Sequence, residues 1–232
     1  MAHLFTRTLS EMTDADRARV AAAVTAAEAN TAGEIVTILA GRSDEYRDVA
    51  LAWAAFVSLL ALFALALFPA FYLGLYDRLT GAWVQEWAPG KLFGVAALVV
   101  TIKFAATWLL LLWRPLRLRL VPAPIRHARV RARAVTCFRV GTERRTTGRT
   151  GILIYLSLAE HRAEIVADAA IATKVAPEVW GAAMAAMLIE LKADRMADGL
   201  IAAVGQVGAV LAEHFPRAAD DVNELPDRLI EM

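Results

Sequence analysis

Cysteine is almost absent from this chain of 232 residues, and the one it has is Cys137. A single cysteine cannot form a disulfide within the chain, so nothing in the sequence requires an oxidising compartment. The first thirty residues also lack the apolar core of a signal peptide, because they are charged and helical in pattern. We therefore expect the first apolar run further along the chain to act as its own insertion signal.

Motifs for the common catalytic chemistries are absent as well. The sequence has no Walker A loop, no GxGxxG, no GxSxG and no EF-hand loop. None of its four histidines pairs with another at zinc-ligand spacing, and the cysteine stands alone. The residues by themselves therefore predict no metal site and no cofactor.

Charged side chains are almost absent from two long stretches of the chain. Residues 50–76 contain no charged side chain, and residues 92–113 contain only Lys103. A bilayer core is spanned by about 20 apolar residues in a helix, and both runs are long enough. The sequence therefore predicts a transmembrane helical hairpin with spans at 49–75 and 92–113.

Acidic residues are scarce directly after the second run. Residues 114–149 hold eleven arginines and a single acid, Glu143. A dense arginine block next to a span marks the cytoplasmic side of a membrane, and two spans place both chain ends on that side. We therefore expect a two-pass protein of the inner (plasma) membrane with both termini in the cytoplasm.

The arginine block also suggests a partner. Positive side chains beside a span bind anionic lipid headgroups at about 1 kcal/mol each near the surface. Because the membrane position already explains the block, we favour lipid over nucleic acid as its partner. The arginines expected to contact lipid are Arg114, Arg117, Arg119, Arg126 and Arg129.

Lys103 is a polar residue inside the second apolar run. A charged side chain in a bilayer is costly and suggests function by default. The sequence leaves three interpretations open: Lys103 faces the first span, it faces a second copy of the chain, or it serves as an accessory to transport. We favour the two structural interpretations because no other polar groups suggest a pathway.

Hydrophobic periodicity and cap residues predict the remaining elements. In chain order they are a helix at 13–30 capped by Thr13, a strand at 34–40, a basic helix at 125–140, strands at 151–158 and 163–167, a helix at 177–196, a helix at 199–215 capped by Asp198, and an acidic tail at 216–232 whose last eight residues suit a short docked helix. The core-facing stripe predicted for the helix at 177–196 consists of Trp180, Met184, Met187, Leu188 and Leu191.

Pairing of the predicted strands determines the domain organisation. The strand at 34–40 cannot stand alone, so we expect it to pair with the strand at 151–158 on the other side of the hairpin. This predicts an α/β fold, a small mixed sheet with flanking helices, interrupted by the transmembrane hairpin. The expected segments are 1–48 with the first helix and strand, 49–113 with the hairpin, 114–149 with the basic segment, 150–215 with the rest of the domain, and the tail at 216–232.

Three segments outside the apolar runs carry a family resemblance. They are TAGEIVTIL at 31–39, TTGRTGILIYLSLAEHRAEIVADAAI at 146–171 and ADGLIAAV at 197–204. Together they resemble the TPM domain, and in particular a bacterial membrane subgroup with two spans inserted in the domain. The resemblance implies an α/β sandwich with a Rossmann-like look. It also implies that acid-phosphatase activity and calcium binding, both described for some members, are possible here.

The resemblance marks three residues as weak candidates for a catalytic site: Glu34, Arg149 and Asp168. A phosphatase needs a nucleophile or a metal-bound water, together with a cation for the phosphoryl oxygens. Where relatives often carry a glycine after the last acid, this chain has Ala169 and Ala170, which removes a flexible approach of the backbone.

Two functional hypotheses follow from the sequence. The first is a non-enzymatic, membrane-anchored, TPM-like domain that acts as an interaction or assembly module, with an unknown protein partner or a second copy of itself. The alternative is a membrane-bound, acid-phosphatase-like hydrolase that works with or without the assistance of a metal ion.

Overall fold

The structure, a computed structural model, describes residues 12–81, 88–141, 150–217 and 223–232. The chain forms two compact units. One comprises Met1–Asp44 and Ala123–Met232, which we call the α/β unit, and the other comprises Glu45–Pro122, which we call the helical unit. The predicted site residue Arg149 and the end of the predicted basic segment lie outside the described residues.

The α/β unit contains both helices and strands, and the described elements of the helical unit are all helices. The helices are α1 (Asp14–Glu28), α2 (Arg47–Leu67), α3 (Pro69–Thr80), α4 (Pro89–Leu111), α5 (Arg114–Leu120), α6 (Ala123–Gly141), α7 (Ala169–Lys174), α8 (Trp180–Lys192) and α9 (Met196–His214). The strands are β1 (Glu34–Ala40), β2 (Gly151–Ser157), β3 (Arg162–Ala167) and β4 (Ile230–Glu231), and a 3₁₀ turn at Pro177–Val179 precedes α8.

The α/β unit is built on a mixed four-stranded sheet in the order β3-β2-β1-β4. Strands β1 and β2 are parallel, with Glu34 opposite Gly151 and Ala40 opposite Ser157, while β3 is antiparallel to β2. The predicted pairing across the inserted hairpin is therefore confirmed. Strand β4 joins the other edge of β1 in parallel, with Ile38 opposite Ile230.

Every residue of β1 and β2 is buried because helices cover both faces of the sheet. One face packs against α1, α8 and α9, and its centre includes Ile35, Ile152 and Leu200. The other face packs against the narrow apolar side of α6, where Val130 and Phe138 are buried. A strand buried on both faces reads as a continuous apolar run, which is why both central strands could be recognised from sequence.

Helix α1 begins as the sequence predicted. Thr13 accepts a hydrogen bond from the backbone N–H of Asp16 at 3.1 Å, and Asp16 bonds back to the Thr13 backbone at 3.4 Å, which completes a capping box. The predicted apolar face is also present, since Val20 and Val24 are fully buried.

In the helical unit, α2 and α4 are the two long apolar helices, and they pack against each other. The hydroxyl of Ser58 donates to the carbonyl of Ala54 at 2.8 Å and lies 3.4 Å from the carbonyl of Val100, which sets these residues level with each other. The predicted first span at 49–75 is broken: α2 ends at Leu67 and α3 begins at Pro69, because proline lacks the N–H that would continue α2 and suits a first helical turn.

Three described helices are long and apolar enough to cross a membrane, judged by length and composition. They are Arg47–Leu67, Pro89–Leu111 and Met196–His214. The third was predicted as a core helix of the α/β unit, and half of its most apolar window is buried there. The first two have only 22% and 6% of that window buried. Apolar surface is therefore packed inside the protein in α9 and left uncovered in α2 and α4.

Several local predictions are wrong. The end of the tail forms strand β4 instead of a helix, because the open edge of β1 offers it backbone hydrogen bonds. Asp198 lies in the first turn of α9 and forms an ion pair with Arg19, while Arg195 occupies the cap position. Leu188 is exposed on α8, and Ala183 faces the core in its place. The short helix α7 follows β3, where the sequence had shown none.

The contact of α1 with α9 gives a direct prediction about two glycines. A methyl group on Gly208 would lie 2.7 Å from the Cβ atom of Ala27, whereas one on Gly205 would meet nothing within 4 Å. We expect Gly208→Ala to destabilise the α/β unit by about 1 to 3 kcal/mol through overpacking. Gly205→Ala should instead stabilise it by about 0.5 to 1 kcal/mol, since it removes a glycine from a helix interior. Urea unfolding of the two variants in detergent measures both effects, and equal shifts would contradict the close contact.

Candidate functional site

Two of the three predicted site residues lie at the same edge of the sheet, the one where β1 and β2 begin. Glu34 is the first residue of β1 and stands opposite Gly151, the first residue of β2. Asp168 follows β3, and its backbone N–H donates to the carbonyl of Gly151 at 2.9 Å. The backbones of Glu34 and Asp168 therefore flank Gly151, and Arg149 lies outside the described residues.

Glu34 holds the tail of the chain. Its two carboxylate oxygens accept hydrogen bonds from the backbone N–H groups of Glu224 and Leu225, each at 3.2 Å. Glu34 is buried, and so is the side chain of Leu225. A buried carboxylate is tolerated when it receives such hydrogen bonds. The observed contacts of Glu34 thus join the start of β1 to a segment about 190 residues later in the chain.

Glu28 adds a third buried carboxyl group at this edge, after Glu34 and Asp168, and no signal in the sequence had marked it. One of its oxygens accepts a hydrogen bond from the backbone N–H of Ile35 at 2.6 Å, and the other has no hydrogen-bond partner among the described residues. Burial chiefly, and the nearby carboxylates of Glu34 and Asp227 to a lesser extent, raise the pKa of Glu28 to about 8 against the lowering effect of the Ile35 N–H. Glu28 therefore holds its proton near neutral pH.

Asp168 caps helix α7. Its Oδ1 atom accepts from the backbone N–H of Ala169 at 2.6 Å, and its carbonyl accepts from Ala172. Its Oδ2 atom is buried and has no hydrogen-bond partner among the described residues. Ala169 and Ala170 form the first turn of this helix, because alanine favours helix.

The polar side chains at this edge are mainly acids, and their observed contacts are structural. Glu34 binds backbone amides, Asp168 caps a helix, and Glu28 is protonated near neutral pH. No group of three or more histidine, cysteine or acidic side chains within the described ranges could hold a metal ion. The arrangement can thus hold the tail and α7 in place, and it gives no observed geometry for a metal-activated water.

A second polar cluster lies at the other end of the strands, where β1 and β2 finish. The hydroxyl of Ser43 contacts the hydroxyls of Tyr155 at 3.0 Å and Ser157 at 2.9 Å, and Ser157 donates to the carboxylate of Glu160. The same carboxylate accepts from the backbone N–H of Ser43 at 3.1 Å. Burial raises the pKa of Tyr155, while its bond to Ser43 lowers it.

Ligands of open α/β sheets bind outside the carboxyl ends of parallel strands, so this second edge is the expected place for a ligand. Here, however, the hydroxyls and the carboxylate are hydrogen-bonded to one another, and three of the four residues are completely or almost completely buried. The cluster therefore anchors the loop after β1.

The predicted lipid-contacting arginines have different environments in the structure. In the helical unit, Arg114 and Arg119 are exposed, while Arg117 is buried and lies 3.6 Å from the carboxylate of Glu45. In the α/β unit, Arg129 is exposed and pairs with Asp44 at 3.2 Å, and Arg126 is half-buried. Contact with lipid stays a prediction for all five, and the internal ion pair makes Arg117 the least suited of them.

The remaining predicted polar residue, Lys103, is exposed on α4. It lies three residues from Val100, whose carbonyl is 3.4 Å from the Ser58 hydroxyl of α2, and one turn from the half-buried Val99 and Thr107. The three interpretations of Lys103 stay predictions.

Comparison with known proteins supports the fold. No family model and no curated protein matches this chain. The fold is similar to the NMR structure of the BA42 protein from the psychrophilic bacterium Bizionia argentinensis, with a TM-score of 0.56 and 17% sequence identity over 97% of this chain and 99% of that one. At this identity the likeness concerns the fold alone, which is a mixed α/β architecture.

Proposed function

We propose that this chain is a membrane-anchored, TPM-like α/β module that acts in interaction or assembly at the cytoplasmic face of the bacterial inner membrane. The observation that carries the proposal is the uncovered apolar surface of α2 and α4. Phe63 is 66% exposed, Leu67 72% and Phe93 71%. Contiguous apolar surface of this extent is unfavourable in water and suits a lipid environment.

The distribution of arginines supports the proposed orientation of the hairpin in the membrane. The segment that follows α4 carries eleven arginines against one acid, and such a block remains on the cytoplasmic side. Two spans, α2 and α4, then put the chain ends on that same side. Helix α9 is left out of the membrane in this proposal because its apolar stripe already covers the sheet.

The hydrogen-bond contacts of the polar residues favour a binding module over an enzyme. The acids at the amino edge of the sheet and the hydroxyls at its carboxyl edge have their observed contacts within the protein. A catalytic site needs groups positioned toward a substrate, with a proton acceptor or a cation beside them. The module therefore acts through its surface, and its lipid partner is an anionic headgroup at the exposed arginines.

Topology reporters test the proposal. We expect a cytoplasmic reporter to be active, and a periplasmic one inactive, when fused after Met232 or before Met1, and the opposite result for fusion within residues 82–87. The protein should resist extraction from membranes with alkaline carbonate. A periplasmic result at either terminus, or release by carbonate, would contradict the two-span arrangement.

A phosphatase remains the second candidate because Asp168 keeps a buried oxygen without an observed hydrogen-bond partner. The purified protein in detergent should not hydrolyse a phosphate monoester. Hydrolysis that Asp168→Asn and Arg149→Ala both abolish would replace the module with the enzyme. Asp194→Asn, an exposed acid elsewhere in the α/β unit, is the matched control.

A further inference from the structure

Strand β3 forms one lateral edge of the sheet. In the order β3-β2-β1-β4 it pairs with β2 on one side, and no described element pairs with its other side. Every residue of β3 is half-buried, whereas every residue of β2 is buried. The pairing of β3 with β2 is continuous, and the described strand contains neither a proline nor a bulge. Such features normally protect an edge, so β3 can accept a further strand.

The register of β3 identifies the backbone groups that face outward. Asp168, the residue after β3, donates its N–H to the carbonyl of Gly151 at 2.9 Å, so its backbone faces β2. Backbone groups alternate in direction along a strand of an antiparallel pair. The N–H and C=O groups of Ala163, Ile165 and Ala167 therefore point away from β2, and we call this row of backbone groups the β3 edge.

A second copy of the chain fits the β3 edge in one antiparallel register. When Ile165 stands opposite Ile165 of the second copy, Ala163 stands opposite Ala167. All three outward-facing residues then form hydrogen-bonded pairs, with about six backbone hydrogen bonds between the copies. The arrangement is symmetric about a two-fold axis, as in most dimers of identical chains.

The charges on β3 favour the same register. It places Arg162 of each copy opposite Asp168 of the other, in a non-hydrogen-bonded pair, where side chains lie closest. A shift of two residues in one direction sets Glu164 against Glu164, and a shift in the other sets Glu164 against Asp168. Like charges directly opposite each other destabilise a strand pair. A shift of one residue places outward-facing groups against residues whose backbone faces β2.

Both members of the charged pair have capacity for this contact. The Oδ2 atom of Asp168 is buried and has no hydrogen-bond partner among the described residues. Arg162 contacts the Nδ1 atom of His127 at 2.8 Å, and its other guanidinium donors have no observed acceptor within the described ranges. An arginine carries five N–H donors. Arg162 of a second copy can therefore supply the donor that the single chain does not give Asp168.

Helix α8 adds apolar surface on the same side of the α/β unit. Helix α9 contacts both α1 and α8, and α1 bonds to the β4 side of the sheet through Arg17 and Glu231. This order places α8 toward β3. Residues 180–189 of α8 carry no charge, and Leu188 and Ile189 are 45% and 64% exposed. A helix that is apolar on all sides is normally covered, and a copy joined at β3 lies beside this surface.

We propose that the β3 edge pairs with the β3 edge of a second copy of this chain, in the register that sets Ile165 opposite Ile165 and Arg162 opposite Asp168. The two sheets then continue as one, and neither β3 edge remains open. This inference rests on the proposed function, since it names the partner of the interaction module, while the pairing itself needs no membrane span.

Disulfide cross-linking of the full-length protein in detergent tests the register. In a Cys137→Ala background, Ile165→Cys places two cysteines in a hydrogen-bonded pair with Cα atoms about 5.5 Å apart, which a disulfide can bridge. Two Ala163→Cys residues would be about 13 Å apart along the strands and should cross-link at least about tenfold more slowly. Glu213→Cys, exposed on α9, measures random collision. Equal rates at the three positions, or a faster rate for Ala163→Cys, would overturn the proposal.

Light scattering of the same protein tests the charged pair. The parent protein should have twice the chain mass of 25.2 kDa. Arg162→Asp sets like charges opposite each other at two symmetric places and should weaken the dimer about tenfold, whereas Arg162→Lys should retain it. Arg228→Asp is the matched control, because Arg228 is exposed in the tail that leads to β4. A monomeric parent protein would overturn the self-pairing and leave the edge to a strand of another protein. Equal weakening by Arg228→Asp would overturn it as well.

Carbonate extraction of membranes that contain the protein separates this inference from the proposed function. A monomer that resists release would keep the membrane anchor and remove only the β3 pairing. A cross-linked dimer that carbonate releases would keep the β3 pairing and remove the anchor.

Discussion

Removal of residues 223–232 is expected to open the β1 edge of the sheet. These residues supply strand β4, whose backbone continues beside β1: the N–H of Met232 donates to Leu39 at 3.0 Å, and Gly41 donates to Met232 at 2.7 Å. They also bury Leu225 and Leu229. Two buried leucines contribute about 1.5 to 3 kcal/mol each, so the loss amounts to several kcal/mol of local stability.

The effect should be visible in hydrogen exchange of the full-length protein in detergent. We expect the backbone amides of β1 to exchange at least about a hundredfold faster in the truncated chain, since each 1.4 kcal/mol corresponds to about a factor of ten. Glu34 would lose two of its N–H donors at the same time, which adds to the cost. Arg228→Ala is the control, because Arg228 is exposed within the same tail. Unchanged exchange in β1 would show that the tail does not support the sheet.

The second large effect concerns the pH dependence set by Glu28. Its pKa is raised from 4.5 to about 8 in the folded protein, chiefly by burial. Between these two values the folded state keeps a proton that the unfolded state has lost. Stability therefore falls as the pH rises from about 4.5 toward about 8, and this contribution is constant outside that window. The full change is on the order of a few kcal/mol.

Glu28→Gln should flatten this pH dependence. Glutamine keeps an oxygen that accepts from the Ile35 N–H but carries no charge to bury beside Glu34 and Asp227. We expect the variant to unfold at a nearly constant urea midpoint between pH 5 and pH 8, where the parent protein loses stability. Glu213→Gln, an exposed acid on α9, is the matched control and should retain the parent's slope. A parent-like slope in Glu28→Gln would contradict the assignment.

The elements that the sequence predicted well depend on neighbours in the chain. The Thr13 cap involves residues three apart, and β1 and β2 are apolar runs whose ends coincide with the predicted ones to within a residue. Such local signals arise from backbone hydrogen bonding and from burial on both faces, and they act wherever the chain folds. The pairing of β1 with β2 followed from the same runs, because an isolated buried strand is not stable.

The predictions that failed depend on residues far apart. Strand β4 consists of Ile230 and Glu231, too short a run to stand out, and it forms because β1 offers a free edge. The burial of Glu28 likewise depends on the tail and on the start of β1, which are distant in sequence. Glutamate near a helix end is ordinary, so no local signal distinguished Glu28 from an exposed acid.

The sequence by itself determined that two long apolar runs interrupt an α/β domain, and that an arginine block follows them. It did so because apolar length and charge are properties of composition, which need no fold to be recognised. Only the tertiary structure decided that the tail completes the sheet, that Glu28 is buried beside Glu34, and that Leu188 is exposed while Ala183 is buried. Each of these depends on which faces of distant elements meet, and packing alone settles that.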